Sequence, residues 1–222
     1  MTLEELKNKK ISAITLGCDK NRVDLEKMLY NLKEFGFEIT EDINQAQILI
    51  INTCAFIKPA IEEAITTIFD SVDLKQQNCE KIIVTGCLIS RFGNELQQID
   101  GVDKMLDIKD NSKIVETVLN LYEIEGKVDY KDGRLLTNLP HFAYLKIADG
   151  CDNGCAYCTI PRIRGRYRSV PMENLIKEAK TLANDGVKEL ILIAQDITRY
   201  GQDLYGEIRL VELIKELSKI KK

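Results

Sequence analysis

The first half of the chain alternates between two kinds of hydrophobic pattern. Short runs rich in apolar and β-branched residues lie at 11–16, 48–51 and 81–85, and a weaker run lies at 102–106. Continuous hydrophobicity of this kind is typical of parallel strands that are covered on both faces of a sheet. The sequence therefore predicts four buried, parallel strands.

The segments between these runs have the spacing of amphipathic helices. Apolar residues recur with the i, i+3, i+4, i+7 pattern at 25–35, 61–72 and 115–122, which places them on one face of each helix. Because predicted strands and helices alternate, residues 1–125 are expected to form a parallel-sheet α/β domain.

The second half repeats this pattern after a polar segment. Residues 126–140 are polar and contain turn signals, so they are interpreted as a linker. Residues 141–222 are predicted to hold two strand–helix units, with strands at 142–148 and 189–194 and helices at 172–185 and 210–220. Two parallel strands do not close a core. We therefore expect a domain that is truncated before a third unit.

Composition and charge exclude several classes of protein. The 222 residues are 45% hydrophobic and 30% charged, which excludes a disordered or fibrous chain. No apolar run approaches the roughly 20 residues that span a bilayer, and no signal peptide is recognisable, so a cytoplasmic protein without membrane association is expected. A formal net charge of −4 indicates no general basic surface, so no autonomous nucleic-acid binding is expected.

Three of the seven cysteines directly follow predicted strands of the first domain. These are Cys18, Cys54 and Cys87. Ligands bind beyond the carboxyl ends of parallel strands, so the three thiols are expected to converge at one edge of the sheet. In a reducing cytosol they are interpreted as metal or cluster ligands, although any one alone could be a small buried hydrophobe. Cys79 does not share this pattern and is interpreted as a bystander.

The second set of cysteines is closely spaced. Cys151, Cys155 and Cys158 form a C-x3-C-x2-C motif directly after a predicted strand. Three thiolates can bind three irons of a four-iron cluster and leave the fourth iron with an open coordination site. A structural zinc site normally has four ligands, and His141 is the only further candidate, so zinc is the weaker alternative.

This motif, with Tyr157 before its last cysteine, resembles that of the radical S-adenosylmethionine (SAM) enzymes. The whole chain is similar to the methylthiotransferases, which combine such a motif with an amino-terminal domain carrying three separated cysteines. Residues 17–24, 52–57, 143–147 and 194–201 are most similar to the branch that modifies a ribosomal protein. The branch that modifies tRNA adenosine usually has Gly-Cys-Gln-Met-Asn where this chain has Gly-Cys-Asp-Lys-Asn.

The resemblance implies a fold and an activity. The fold class is α/β, in which the amino-terminal parallel-sheet domain is followed by the first βα units of a truncated, TIM-like radical SAM barrel. The activity is addition of a methylthio group to the β-carbon of an aspartate in a small-subunit ribosomal protein. A tRNA-adenosine methylthiotransferase and a non-catalytic iron–sulfur or metal-binding module are the alternatives. A reductant such as flavodoxin or ferredoxin is the expected electron donor.

The resemblance also implies cofactors and roles for individual residues. Two [4Fe-4S] clusters, one on each set of three cysteines, and SAM are expected. Tyr157 is expected beside the adenine of SAM, and Gln195 and Asp196 are expected to contact SAM. Arg164 lies among four alternating arginines in 162–168 and is expected in a solvated loop or at a rim that contacts an anionic substrate. Full members of the family are longer, so these residues alone are expected to form an incomplete SAM pocket.

Overall fold

The computed structural model describes residues 1–96 and 99–220 of the 222-residue chain. The chain divides into two compact units, Met1–Leu135 and Leu136–Lys222. The boundary lies inside the segment that the sequence predicts as a linker, and the part of that segment before the boundary packs with the first unit. No helix of the described residues has the length and apolarity needed to cross a membrane.

The first unit is built on a parallel sheet. Its described strands are β1 Lys10–Thr15, β2 Glu38–Ile39, β3 Ile48–Thr53, β4 Lys81–Gly86 and β5 Lys104–Leu106. Among the described residues these five strands are ordered β2-β1-β3-β4-β5, and every pairing is parallel. The α/β prediction and all four predicted strands are confirmed. Strand β2 was not predicted, because a strand of two residues is too short to show a hydrophobic pattern.

Helices connect these strands. The described helices of the unit are α1 Leu3–Lys7, α2 Asp19–Phe35, α3 Lys58–Val72, α4 Cys87–Phe92 and α5 Ile114–Leu121. Helix α2 begins earlier than its apolar pattern predicts, because its first turn is polar. It ends at Gly36, which has a left-handed φ of 116° and donates its backbone N–H to the last turn.

The core explains the continuous hydrophobic runs. Strand β3 is buried along its whole length, which agrees with a central strand covered on both faces. On one face the apolar side chains of the strands pack against α2 and α5, and the buried residues of this cluster include Ile11, Ile48, Ile50, Ile83, Leu25, Met28, Leu29, Leu32, Ile114, Val115, Val118 and Leu119.

The segment 126–135 is attached to α2 by polar contacts. The backbone N–H of Lys131 donates to Asn31 Oδ1 at 2.9 Å. Arg134 Nε donates to Glu26 Oε2 at 3.0 Å, and the two side chains are only 2% and 0% exposed. Because a buried charge without its partner is costly, this ion pair holds the segment on the first unit.

The second unit contains two small sheets within residues 136–220. Their strands are β6 Phe142–Lys146, β7 Ala148–Asp149, β8 Arg168–Ser169 and β9 Glu189–Ile193. Strands β6 and β9 pair in parallel, and β7 and β8 pair antiparallel. The strand predicted at 142–148 is thus divided at Ile147, and the antiparallel pair closes the loop that carries the second set of cysteines.

Helices cover the parallel pair of the second unit. The described ones are α6 Ile160–Arg164, α7 Met172–Asn184, α8 Gln202–Tyr205 and α9 Leu210–Leu217. Leu145 of β6, Leu175 of α7 and Leu213 of α9 are fully buried in a shared core. On the other side of α9, Val211 and Ile214 are 66% and 48% exposed.

Candidate functional site

Cys18, Cys54 and Cys87 lie at the carboxyl ends of three neighbouring strands. Cys18 directly precedes α2, Cys54 directly follows β3, and Cys87 begins α4 after β4. Cys18 is exposed, whereas Cys54 and Cys87 are only 7% and 4% exposed. The structure therefore brings the three cysteines to one edge of the first-unit sheet.

Two glycines with positive φ bring these turns into contact. At Gly17 (φ 89°) an added Cβ would lie 2.7 Å from Cys54 Sγ, so this turn touches the second thiol. At Gly86 (φ 98°) an added Cβ would lie 2.3 Å from the backbone oxygen of Thr53. A larger residue at either position would separate the turns that carry the cysteines.

A layer of polar side chains lies between the hydrophobic core and these cysteines. Thr15, Asn52 and Thr85 are in register on β1, β3 and β4. Asn52 Nδ2 donates to the backbone oxygen of Asn21 at 2.7 Å, and Thr85 Oγ1 donates to Asn111 Oδ1 at 2.6 Å. Sequence reasoning missed this layer, although a polar residue at the end of each apolar run was an available signal.

The donor set has the chemistry of an iron–sulfur cluster, whose irons are bound by cysteine thiolates. All seven cysteines are free thiols. Within the ranges that the structure describes, no group of three or more His, Cys, Asp and Glu side chains could hold one metal ion. In a four-iron cluster each thiolate binds a different iron. Zinc would instead need four ligands around one centre.

The second set of cysteines lies on a loop that begins directly after β7. Gly150 (φ 78°) packs so closely that an added Cβ would lie 2.1 Å from the backbone oxygen of Arg166. The backbone N–H of Cys158 donates to the oxygen of Cys155 at 3.0 Å, which closes a tight turn. Cys155 is exposed, and the neighbouring Tyr157 is 87% exposed. This loop is therefore accessible where the first set is largely buried.

A partly buried carboxylate anchors the start of this loop. Asp149 accepts hydrogen bonds from the backbone N–H of Gly150 at 2.9 Å, Lys146 Nζ at 3.1 Å, Arg164 Nη1 at 3.0 Å and Gln195 Nε2 at 3.1 Å. Burial alone would raise the pKa of this carboxyl, but the charges and hydrogen bonds of Lys146 and Arg164 outweigh burial and lower the pKa to about 2. Asp149 is therefore ionised at neutral pH.

The position of Arg164 corrects one expectation. The residue is 4% exposed and paired with Asp149, so it lies neither in a solvated loop nor on an exposed rim. The reason is that the loop returns through β8, which pairs with β7 and brings Arg164 next to the carboxylate of Asp149. Arg162, Arg166 and Arg168 of the same series are exposed.

Gln195 and Asp196, which follow β9, have different surroundings. Gln195 Nε2 is bonded to Asp149, while its Oε1 is buried and has no hydrogen-bond partner among the described residues. Asp196 accepts from Asn153 Nδ2 at 3.0 Å and from Thr198 Oγ1 at 2.6 Å, and these bonds lower the pKa of its carboxyl. Asn153 belongs to the cysteine loop, and its contact with Asp196 was not predicted.

His141 and Cys79 lie apart from both sets of cysteines. His141 is exposed before β6, whereas the cysteine loop follows the opposite end of that strand, roughly 17 Å away for five residues of strand. This position disfavours the zinc alternative. Cys79 is 5% exposed and precedes β4, at the sheet edge opposite the first set. Burial raises the pKa of its thiol.

Each half of the chain matches a known family. Residues 10–107 match the uncharacterized protein family UPF0004, and residues 145–221 match the radical SAM superfamily. The first match includes Cys18, Cys54 and Cys87, and the second includes the C-x3-C-x2-C loop.

Several bacterial proteins described as ribosomal protein uS12 methylthiotransferase RimO are similar to this chain. The protein of Clostridium tetani is 45% identical over 221 residues, which cover 95% of this chain and 50% of that relative. The protein of Sulfurihydrogenibium sp. is 47% identical over 216 residues, which cover 97% of this chain and 49% of that relative. The chain thus spans about half the length of these curated relatives.

Two solved structures share the fold at low sequence identity. The radical SAM methyltransferase TsrM from Kitasatospora setae has a TM-score of 0.64 at 12% identity, over 94% of this chain and 50% of that one. The cobalamin-dependent radical SAM enzyme OxsB has a TM-score of 0.58 at 11% identity, over 97% of this chain and 37% of that one. These two likenesses concern the fold alone. The sequence matches are more specific: one part of the chain matches UPF0004, another matches the radical SAM superfamily, and nearly the whole chain is similar to proteins described as ribosomal protein uS12 methylthiotransferase RimO.

Proposed function

We propose that the chain carries the two cluster sites of a methylthiotransferase that adds a methylthio group to the β-carbon of an aspartate in ribosomal protein uS12. The observation that carries this proposal is the presence of two separate sets of three free thiols, one at the carboxyl ends of parallel strands and one on the loop that follows β7. The description of the relatives as uS12 methylthiotransferases supports the substrate.

Each set of thiols would hold one [4Fe-4S] cluster and leave one iron without a protein ligand. The ligands would be Cys18, Cys54 and Cys87 in the first unit and Cys151, Cys155 and Cys158 in the second. When bound, the clusters and SAM supply one-electron chemistry that side chains lack, because an unactivated C–H bond is too weak an acid for a side-chain base.

The residues around the second loop would bind and orient SAM. The buried Oε1 of Gln195 has no partner among the described residues, and a buried acceptor of this kind needs a donor such as an amine or hydroxyl of SAM. Tyr157 presents its ring to solvent and would cover the adenine. The ion pair of Asp149 and Arg164 would hold the start of the loop in place. Asp196 would help to position the same loop through its hydrogen bond with Asn153.

An anionic substrate has candidate partners on the same unit. Arg162, Arg166 and Arg168 are exposed close to the cysteine loop in sequence, and guanidinium groups suit carboxylates. Arg164 is already paired with Asp149 and would contribute indirectly. A flavodoxin- or ferredoxin-type reductant would supply the electron.

Anaerobic reconstitution of the chain with iron and sulfide tests the cluster assignment. Two clusters predict roughly eight irons per chain. Replacing Cys18, Cys54 and Cys87 together by Ala should halve this number, as should replacing Cys151, Cys155 and Cys158. The matched control is Cys79→Ala, which removes a thiol outside both sets and should leave the iron content unchanged. Bound zinc, or an iron content that either triple replacement leaves unchanged, would contradict the proposal.

The substrate is tested separately in a bacterial strain that lacks its own uS12 methylthiotransferase. The natural protein that contains these 222 residues is expressed there, and ribosomal protein and tRNA are analysed by mass spectrometry. A mass increase of one methylthio group on uS12 is expected. The same increase on tRNA adenosine would identify the tRNA branch instead, and two occupied clusters with neither product would favour a non-catalytic module.

A further inference from the structure

Asn21 is fully buried in the first turn of α2, at 0% exposure. Its side-chain Nδ2 donates to the backbone oxygen of Leu16 at 3.1 Å and to the backbone oxygen of Thr53 at 2.9 Å. Leu16 lies two residues before Cys18, and Thr53 directly precedes Cys54. One amide group therefore joins the turns that carry the first two cysteines.

The same residue also contacts the third cysteine. The thiol of Cys87 lies 3.6 Å from Asn21 Oδ1. In addition, Asn52 Nδ2 donates to the backbone oxygen of Asn21 at 2.7 Å, which fixes the first turn of α2 against the end of β3. Asn21 is thus linked to all three strand ends of the first set.

Packing alone does not explain an asparagine at this position. A buried amide is costly to desolvate unless it is hydrogen-bonded, and an apolar side chain of similar size would fill the same space without that cost. The bonds of Nδ2 also go to carbonyls outside the helix, in the turns after β1 and at the end of β3. The side chain therefore determines where those turns lie relative to each other.

We propose that Asn21 is the positioning residue of the first cluster site, which holds the turns of Cys18, Cys54 and Cys87 at the spacing that the cluster requires. This inference rests on the proposed cluster at these cysteines. Residues that orient ligands from outside the coordination shell typically change metal affinity 10–100-fold when they are replaced. Hydrogen bonds and charge near the sulfurs also set the reduction potential of a cluster.

The test uses the 222-residue chain with Cys151, Cys155 and Cys158 replaced by Ala, so that only the first site can bind iron. Asn21→Asp retains the shape of the side chain but removes both N–H donations. We expect iron to be lost to a chelator about 10–100 times faster than from the parent. We also expect the electron paramagnetic resonance spectrum of the remaining cluster to change. The midpoint potential is compared in the neutral Asn21→Ser variant, because a carboxylate beside the sulfurs shifts the potential by its charge alone.

Asn31→Asp is the matched control. Asn31 lies on the same helix, and its Nδ2 also donates to a backbone carbonyl, that of Lys27 at 3.0 Å, but its bonds do not reach the cysteine turns. This variant should retain iron like the parent. If iron loss is equally accelerated in both variants, the effect is due to helix stability and the inference is overturned. Circular dichroism and thermal unfolding of the iron-free proteins establish that each variant folds.

A second variant decides the question if Asn21→Asp does not fold. Asn21→Ser can donate one hydrogen bond and is tolerated in a first helical turn, so an intermediate rate of iron loss and a shifted potential are expected. Rates within twofold of the parent and an unchanged potential would overturn the inference while leaving the proposed cluster intact. A parent that binds no iron, instead of roughly four per chain, would overturn the proposed first cluster itself.

Discussion

The two sets of cysteines differ in how the chain brings them together. In the first unit the thiols come from three strand ends, two of them are buried, and neutral asparagine and threonine side chains surround them. In the second unit all three thiols belong to one loop that is half-exposed or exposed, and a charged group, Asp149, anchors its start. The first site therefore depends on the whole sheet, whereas the second depends on a local turn.

The largest difference is expected between glycine replacements in a tightly packed turn of the first site and at an open position of the second loop. Gly86→Ala would place a Cβ 2.3 Å from the backbone oxygen of Thr53 at a φ of 98°, so it combines an unfavourable φ with a backbone clash. We expect the free energy of unfolding to fall by about 3 kcal/mol or more. Gly154→Ala also has a positive φ, 64°, but no atom lies within 4 Å of its added Cβ. About 1 kcal/mol is expected there, and equal losses in urea unfolding would contradict the comparison.

The charged anchor of the second loop gives the next largest effect. Arg164→Met removes a buried partner of Asp149, which retains Lys146 and Gln195. A loss of about 2 kcal/mol is expected, less than for a pair that loses its sole partner. Arg162→Met, on the exposed part of the same helix, should change stability by less than about 0.5 kcal/mol. Chemical denaturation of both variants measures the difference, and similar values would mean that the Arg164 pair adds little.

Thiol accessibility in the iron-free protein should distinguish the two buried cysteines of the first set from the exposed cysteines of both sets. Cys155 and Cys18 are exposed and should be alkylated by iodoacetamide at least about tenfold faster than Cys54 and Cys87. Cys79 should react slowly at neutral pH, and its rate should rise only at a higher pH than for an exposed thiol, because burial raises its pKa and the thiolate is the reactive form. Peptide mass spectrometry over time gives the order, and fast labelling of Cys54 would contradict the buried first site.

The smallest effect is expected from the exposed hydrogen bonds of Asn153, which connect the second loop to the residues after β9. Asn153→Ala removes two solvent-exposed hydrogen bonds, one with Asp196 and one with Arg199. Stability should fall by about 0.5–1 kcal/mol. Asn138 also donates its side chain to backbone oxygens of the second unit, away from the loop, so Asn138→Ala is a control for general loss of hydrogen bonding. A chelator should remove second-site iron faster from the Asn153 variant alone.

The sequence predicts those parts of the fold that depend on local pattern. The buried strands were predictable because β3 and β4 are covered on both faces and lack polar interruptions until their last residues. The convergence of Cys18, Cys54 and Cys87 at one edge of the sheet was predictable because each of them follows such a run. The families named by the comparisons agree with the resemblance carried by these same residues.

Contacts between distant segments were not predictable in the same way. The alternating arginines around Arg164 carry no periodic sign of burial, and the partner Asp149 reaches Arg164 only after β8 folds back onto β7. Asn21 is visible in the sequence next to Cys18, but its contacts with Thr53 and Cys87 require β3 and β4 to lie beside α2. Pairing over such separations follows from the tertiary fold rather than from local pattern.

The ion pair between Glu26 and Arg134 has a practical consequence for producing the first unit on its own. A recombinant fragment that stops at residue 125, where the sequence predicts the first domain to end, would lack Arg134 and with it the guanidinium that pairs with the buried carboxylate of Glu26. Such a fragment should be less stable than one that retains Arg134. A fragment that continues through Leu135 retains the guanidinium of Arg134 and is therefore the better one to express, crystallise or label for spectroscopy.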